Sequence, residues 1–188
     1  MNLPTTNRAL FLDRDGVINH EVGYLSRAED VRWMDGIIPL CRTAQSLGYT
    51  LVVVTNQSGI ARGLYTEQDF QTLMTYMRSV LSRDNITLDA VYHCPYHPDR
   101  GIGEYKREHE DRKPSPGMLL RAARDLSLDL TQSILVGDRC SDIAAANAAG
   151  LRQAFLLAGT EEKPCLGPHK LVATLSEVQQ WLQASPNP

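Results

Sequence analysis

The sequence lacks the features that would link it to a membrane, to nucleic acid or to secretion. No apolar run in its 188 residues is long enough to cross a bilayer, and its first residues lack the apolar stretch of a signal peptide. The net charge of −3 includes no dominant basic block. We therefore expect no nucleic acid and no membrane surface as partners, and a phosphorylated ligand would need local cationic groups.

Cysteine is scarce and scattered. The four cysteines form no Cys-x-x-Cys pair and no dense framework; they are Cys41, Cys94, Cys140 and Cys165. Such spacing indicates free thiols in a reducing compartment, so we expect a cytoplasmic protein. We expect Cys41 and Cys140 to pack as small hydrophobic residues.

Short apolar runs alternate with longer helical patterns along the chain, which predicts an α/β fold with a parallel sheet and helices on both faces. We expect one domain over residues 1–188, with a long polar loop at 94–111 beside the substrate. The predicted strands are 8–13, 50–55, 90–93, 133–138 and, as the last strand, 153–157. The predicted helices are 36–47, 66–81, 116–126 capped by Ser115, 143–149 and 175–182. The tail at 185–188 is expected to fray.

Polar residues follow the predicted strands at the points where they end. Asp13 and Asp15 follow the first strand, Thr55 ends the second, and Asp138 ends a later one. Lys113 precedes a predicted helix start. Because open α/β sheets bind ligands at the carboxyl ends of their strands, we expect these side chains to form one site.

These residue types suit transfer of a phosphoryl group. A phosphate monoester is a dianion, so an attacking carboxylate needs a cation such as Mg²⁺ to screen the repulsion. Asp13 is the predicted nucleophile and a metal ligand, and Asp138 is the second carboxylate ligand. Asp15 is predicted to bind the metal through its backbone carbonyl and to act as general acid and base. Thr55 and Lys113 are predicted to stabilise the phosphoryl group.

The ordered set of Asp13-Arg14-Asp15-Gly16, Thr55-Asn56-Gln57-Ser58, Lys113 and Gly137-Asp138 with Asp142 resembles the haloacid dehalogenase (HAD) superfamily of phosphohydrolases. More closely, the chain is similar to bacterial D-glycero-D-manno-heptose 1,7-bisphosphate 7-phosphatases, over nearly its whole length. The resemblance implies a HAD-type Rossmann-like fold with a minimal cap or none, and a role in making nucleotide-activated heptose for surface polysaccharide. It also implies substrate contacts from Glu21, Val22, Gly23, Tyr24, Asn56, Gln57, Ser58, Arg112 and Arg139.

The chain departs from that family in the loop at 94–111, where relatives hold a structural zinc with three cysteines and one histidine. Cys94 is present, but Tyr96 occupies the histidine position, and His109 and Asp111 replace the two later cysteines. Cys94, His97, His109 and Asp111 are all side chains that bind zinc. Losing two thiolates removes the strongest donors, however, so we expect no tightly bound zinc.

Other functions remain open at this point. Histidinol phosphate or another small sugar phosphate is an alternative substrate. A phosphate-binding regulatory protein without turnover is an alternative of another class, although such proteins usually lose the nucleophile or the acid. Asp142 alone is consistent with a helix cap or a residue that orients a neighbour. With no apolar stripe that indicates an obligate oligomer, we expect a monomer.

Overall fold

The computed structural model describes residues 7–159 and 164–184. The strands are β1 (Arg8–Leu12), β2 (Tyr49–Asn56), β3 (Ala90–Cys94), β4 (Ile134–Gly137), β5 (Gln153–Leu157) and β6 (Lys170–Val172). The helices are α1 (Ile37–Ser46), α2 (Ser58–Ala61), α3 (Glu67–Arg83), α4 (Gly117–Leu126), α5 (Cys140–Ala148) and α6 (Leu175–Ala184). Short 3₁₀ turns lie at Ala28–Asp30, Gly103–Tyr105 and Leu130–Gln132.

The six strands form one parallel sheet in the order β3-β2-β1-β4-β5-β6. Chain order reverses between β1 and β4, which is the switch point where open α/β sheets bind ligands. Asp13 directly follows β1, and Asp138 directly follows β4. The sheet therefore places both carboxylates at the same edge.

Alternate residues of the strands support the two faces of the sheet. Leu10 and Leu12 of β1 join the apolar cluster formed with α1, α3 and α6. Ala9 and Phe11 join the cluster formed with α4 and α5. Because both faces are covered, every residue of β1 is buried, as expected of a central parallel strand. The predicted α/β fold with helices on both faces is confirmed.

Two details of the sequence prediction are wrong. β5 is not the last strand, because β6 pairs with it, and β6 is short with two exposed residues, so it has no apolar run to indicate it. The N-cap of α4 is Pro116, not Ser115, and no side chain caps that helix. In the described ranges, no helix combines the length and the apolar character needed to cross a membrane.

The prediction of four free thiols is also wrong. Cys140 and Cys165 form a disulfide whose Cα atoms lie 5.0 Å apart, although 25 residues separate them in the chain. The segment after β5 returns to the first turn of α5, a tertiary contact that the spacing of cysteines does not show. Cys140 is thus no simple packing residue, whereas Cys41 and Cys94 are free and buried. The expectation of a reducing compartment loses the support it drew from cysteine spacing.

Candidate active site

The carboxyl edge of the sheet brings Lys113 and three aspartates together. Lys113 Nζ lies 3.0 Å from Asp13 Oδ1 and 2.5 Å from Asp142 Oδ1, and it donates to Val54 O at 2.9 Å. Carboxylate oxygens of Asp13, Asp138 and Asp142 all lie within 4.8 Å of one another. These side chains are all buried. The Lys113 ammonium offsets one of the three carboxylate charges, and a proton or a divalent cation bound at the cluster would offset more.

Two glycines allow this close approach. A Cβ at Gly16, whose φ is +83°, would lie 2.2 Å from Asp138 Oδ2. A Cβ at Gly137 would lie 2.2 Å from Asp142 Cβ. Any larger residue at either position would push a carboxylate out of the site, so both positions require glycine.

Burial dominates the electrostatics of the site. It raises the pKa of Asp13 to about 7, with Lys113 opposing the rise and the neighbouring carboxylates adding to it. Burial, together with the charge of Asp142, raises the pKa of Asp138 to about 6. Burial on its own would lower the pKa of Lys113, but the charges of Asp13 and Asp142 outweigh it and raise that pKa. The carboxylates thus bind protons more readily than exposed ones, as expected where a divalent cation is to replace those protons.

The predicted metal ligands agree in part with this geometry. Asp13 and Asp138 belong to the cluster of possible ligands, and its third member is Asp142 in place of the Asp15 side chain. The predicted contact from Asp15 is through its backbone carbonyl, which such a cluster of side chains does not address. Asp142 Oδ2 accepts a hydrogen bond from Arg139 N–H at 3.0 Å, so it also serves as the predicted cap of α5. The donor set of buried carboxylate oxygens fits Mg²⁺.

Asp15 is held by a network of donors on its own side of the cavity. Arg14, which is fully buried, donates to both carboxylate oxygens at 2.8–3.1 Å. Asn19 Nδ2 donates to Oδ1 at 3.0 Å, and Gln57 Nε2 donates to Oδ2 at 3.2 Å. The carboxylate therefore has a fixed position next to, and separate from, the Asp13 carboxylate.

Gln57 links Asp15 to Thr55. Its Nε2 donates to Thr55 Oγ1 at 2.8 Å, while its Oε1 accepts from Tyr65 Oη at 2.5 Å. Because Thr55 Oγ1 accepts this bond, its own hydroxyl proton remains available for a ligand. A Cβ at Gly59 would meet the Tyr65 ring at 2.2 Å, so that glycine makes room for the ring. Tyr65 thus fixes the orientation of the Gln57 amide.

Asn56 positions Lys113 through the backbone. Its Nδ2 donates to Lys113 O at 2.9 Å, and its Oδ1 accepts from Lys113 N–H at 3.1 Å. This two-bond pairing joins the end of β2 to the segment before α4. The Asn56 side chain therefore orients Lys113. Only the backbone of Asn56 remains for the predicted contact with substrate.

A cavity of about 640 Å³ opens over these residues. Most predicted substrate contacts line it; they are Glu21, Gly23, Tyr24, Asn56, Gln57, Ser58, Arg112 and Arg139. Val22 does not, and it lines a smaller neighbouring pocket. Residues that the sequence did not single out as site residues also line the cavity; they are Gly59, Arg62, Tyr65, Arg100 and Ser141. Arg62 lies four residues after the motif at 55–58, whereas no sequence signal marks Tyr65 or Arg100.

The four candidate zinc ligands do not converge among the described residues. His109 Nδ1 accepts from Asp111 N–H at 3.1 Å, and the Asp111 carboxylate pairs with Arg121 at 2.7 Å. His97 Nδ1 accepts two backbone N–H groups of its own turn, and Cys94 is fully buried. No three of these four side chains bring ligand atoms within 4.8 Å of one another in the described ranges, so the set does not fit a tetrahedral zinc site.

Comparisons with known proteins agree with this geometry. A HAD-hydrolase-like family model matches residues 111–178. The D-glycero-α-D-manno-heptose-1,7-bisphosphate 7-phosphatase of Burkholderia mallei is 51% identical over 151 residues, 80% of each chain. The D-glycero-β-D-manno-heptose-1,7-bisphosphate 7-phosphatase of Yersinia pestis is 45% identical over 143 residues, 76% of each chain.

A solved structure of a D,D-heptose 1,7-bisphosphate phosphatase from B. bronchiseptica, complexed with magnesium and phosphate, has the same fold. It superposes with a TM-score of 0.78 at 28% identity, over 95% of this chain and 99% of that one. The level of identity and the extent of coverage establish the family. The chain belongs to the heptose 1,7-bisphosphate 7-phosphatases, a family of HAD-like hydrolases.

Proposed function

We propose that the chain is a magnesium-dependent phosphomonoesterase that removes the 7-phosphate of D-glycero-D-manno-heptose 1,7-bisphosphate on the route to nucleotide-activated heptose. One observation carries the proposal: Lys113 Nζ, 3.0 Å from Asp13 Oδ1, lies in a buried cluster of carboxylates under a polar cavity. The names of the relatives support the substrate.

Asp13 supplies the nucleophile. Its Oδ1 accepts from Arg14 N–H at 2.7 Å and from Lys113, so in the described part of the chain the hydrogen bonds leave Oδ2 for phosphorus. A bond forms between an Asp13 carboxylate oxygen and phosphorus while the bond from phosphorus to the C7 oxygen breaks. Thr55 and Lys113 bind the oxygens of the transferring group, where negative charge must be offset.

Asp15 moves the protons. In its protonated form it gives a proton to the departing C7 oxygen, and the resulting carboxylate then takes a proton from the water that attacks the aspartyl phosphate. Inorganic phosphate leaves, and Asp13 is restored. Arg14, Asn19 and Gln57 keep the carboxyl group in place through both steps.

Side chains of Asp13 and Asp138, with the backbone carbonyl of Asp15, would hold Mg²⁺. When bound, Mg²⁺ screens the repulsion between the carboxylates and the phosphate dianion. The sugar and its phosphates are bound by Glu21, Gly23, Tyr24, Arg112, Arg139 and the backbone of residues 56–58, all of which line the cavity. We propose that the chain acts as a monomer.

The first test measures release of inorganic phosphate with and without Mg²⁺ from the two heptose bisphosphate anomers, histidinol phosphate and simple sugar phosphates. We expect one of the heptose bisphosphates to give the highest kcat/KM. Asp13→Asn should abolish release, whereas Asp125→Asn, on the exposed surface of α4, should leave it unchanged. Faster turnover of histidinol phosphate would overturn the substrate, and full activity of Asp13→Asn would overturn the mechanism.

The second test separates the two aspartates. With an aryl phosphate, whose leaving group needs little protonation, Asp15→Asn should release about one equivalent of phenol per chain and then stop, because the water that hydrolyses the aspartyl phosphate lacks its base. Steady turnover by Asp15→Asn would contradict its role as the base.

A further inference from the structure

We propose that Arg62, His97, Arg100 and Arg112 form a distal anion subsite, which binds the phosphate that is not hydrolysed in a bisphosphorylated sugar. The inference rests on the proposed function and deepens it, because it assigns the preference for two phosphates to particular residues. Arg112 is a sequence-predicted substrate contact, whereas Arg62 and Arg100 enter the site only through the folded structure.

The cavity is lined by more cationic side chains than its ion pairs use. Lys113 is paired with Asp13 and Asp142, and Arg139 lies 3.2 Å from Glu21. In the described ranges, no ion pair within 4.0 Å joins Arg62, Arg100 or Arg112 to a carboxylate. The phosphoryl group at Asp13 already has Lys113 and the metal ligands beside it. Three further guanidinium groups on one cavity wall therefore suit a second anion.

The four side chains line one cavity, and their charges act on one another. Burial lowers the pKa of His97, and the charges of Arg112, Arg62 and Arg100 lower it further. Burial also lowers the pKa of Arg112, and the charge of Arg62 lowers it further. Asp99 and Glu108 oppose these effects from a distance, without forming an ion pair. Like charges gathered in this way repel one another, and a bound phosphate would relieve that repulsion.

Backbone contacts hold the two new arginines in place. Ile102 N–H donates to Ala61 O at 2.8 Å, which ties the loop that carries Arg100 to the turn that carries Arg62. The Arg62 guanidinium lies 5.3 Å from the centre of the Tyr24 ring, and within the described chain its buried Nε has no hydrogen-bond partner. Packing against Tyr24 thus fixes the position of the Arg62 guanidinium, and its Nε–H remains available as a hydrogen-bond donor.

His97 adds a neutral donor. Its Nδ1 accepts hydrogen bonds from Asp99 N–H at 3.2 Å and Arg100 N–H at 3.1 Å. Neutral His97 therefore carries its proton on Nε2, where it can donate to a phosphate oxygen. Because these bonds also shape the turn at Arg100, the histidine and the arginine are positioned by the same backbone.

The test compares two substrates that share the scissile bond: heptose 1,7-bisphosphate and heptose 7-phosphate. We expect Arg62→Gln and Arg100→Gln each to lower kcat/KM for the bisphosphate about tenfold, mainly through KM, as the loss of a charged hydrogen bond predicts. Turnover of the 7-phosphate should change by less than about twofold. Arg78→Gln, on the exposed surface of α3 and outside the cavity lining, is the matched control.

Equal losses with both substrates, or no loss with the bisphosphate, would overturn the subsite. So would equal efficiency of the unaltered chain on the two substrates, a result that leaves the proposed phosphatase intact. Failure of the unaltered chain to hydrolyse either compound would instead overturn the proposed function. Arg100 is exposed, so its substitution is expected to leave the thermal unfolding midpoint unchanged and serves as the fold-neutral variant.

Discussion

Protons and Mg²⁺ should compete for the carboxylate cluster, so that the affinity for Mg²⁺ falls steeply below neutral pH. The pKa values of Asp13 and Asp138 are raised to about 7 and about 6. At pH 7.5 roughly three quarters of Asp13 and nearly all of Asp138 are ionised, whereas at pH 5.5 the fractions are roughly 3% and a quarter. The doubly ionised form therefore falls on the order of 100-fold, or about 3 kcal/mol of binding free energy.

Without metal, the stability of the folded chain depends on pH in the opposite direction: it falls as pH rises. A carboxyl group with a raised pKa in the folded state favours the protonated form, so its contribution to stability is full below pH 4 and is lost as pH rises through about 6 and 7. Mg²⁺ restores stability at neutral pH by binding only the folded chain. We thus expect Mg²⁺ to raise the unfolding temperature strongly at pH 7.5 and weakly at pH 5.5.

Titration calorimetry of Mg²⁺ at the two pH values, with thermal unfolding followed in parallel, measures both effects. Asp138→Asn should lose the Mg²⁺-dependent rise and unfold no earlier than the unaltered chain without metal at pH 7.5, since it removes one of the repelling charges. Asp125→Asn should behave like the unaltered chain. Equal Mg²⁺ affinity at both pH values would refute the reasoning, because it would mean that no proton leaves the cluster on binding.

Substitutions at three further positions test how the side chains of the site are held in place. Asn56→Ala removes both hydrogen bonds to the Lys113 backbone and should lower kcat roughly 30-fold, which corresponds to two bonds of about 1 kcal/mol each. Asn56→Asp keeps one acceptor, so its kcat should be intermediate. An unchanged kcat of Asn56→Ala in steady-state assays would contradict this role of Asn56. Tyr65→Phe leaves Gln57 Oε1 without its donor and should lower kcat about tenfold, whereas a change in KM alone would argue against it. Gly16→Ala should cost Mg²⁺ affinity at least about tenfold in calorimetry because its Cβ meets Asp138, and retention of wild-type affinity would show that the carboxylate moves aside freely.

Much of the site could be predicted because its residues follow local signals. Asp13, Thr55 and Asp138 each stand where an apolar strand gives way to polar residues, and parallel topology brings such ends together. Lys113 was predicted from its place in a motif, but its pairing with Asp142, 2.5 Å away, depends on how the chain between them folds. The sequence therefore predicted the positions of the strands well, but it did not predict which side chains pair with the charged residues.

The residues that sequence analysis missed share one property: they act through contacts distant in the chain. Arg100 reaches the cavity because Ile102 pairs with Ala61, and Tyr65 matters because its hydroxyl meets Gln57 beneath the cavity. The Cys140–Cys165 disulfide likewise depends on the return of the chain after β5. None of these contacts has a repeating pattern or a composition that a single sequence can display.

The loop at 94–111, which departs from the family pattern, is held by aromatic and cation–π contacts. The Tyr96 ring stacks on His109, with ring centres 4.5 Å apart, and the Arg107 guanidinium lies 4.0 Å from the centre of the same ring. The Tyr96 carbonyl accepts a hydrogen bond from Arg112 Nη1 at 3.0 Å. Aromatic and cation–π contacts at the altered positions therefore hold Tyr96, whose carbonyl orients the Arg112 guanidinium. Because the same loop carries His97 and Arg100, its packing would set the geometry of the proposed distal anion subsite.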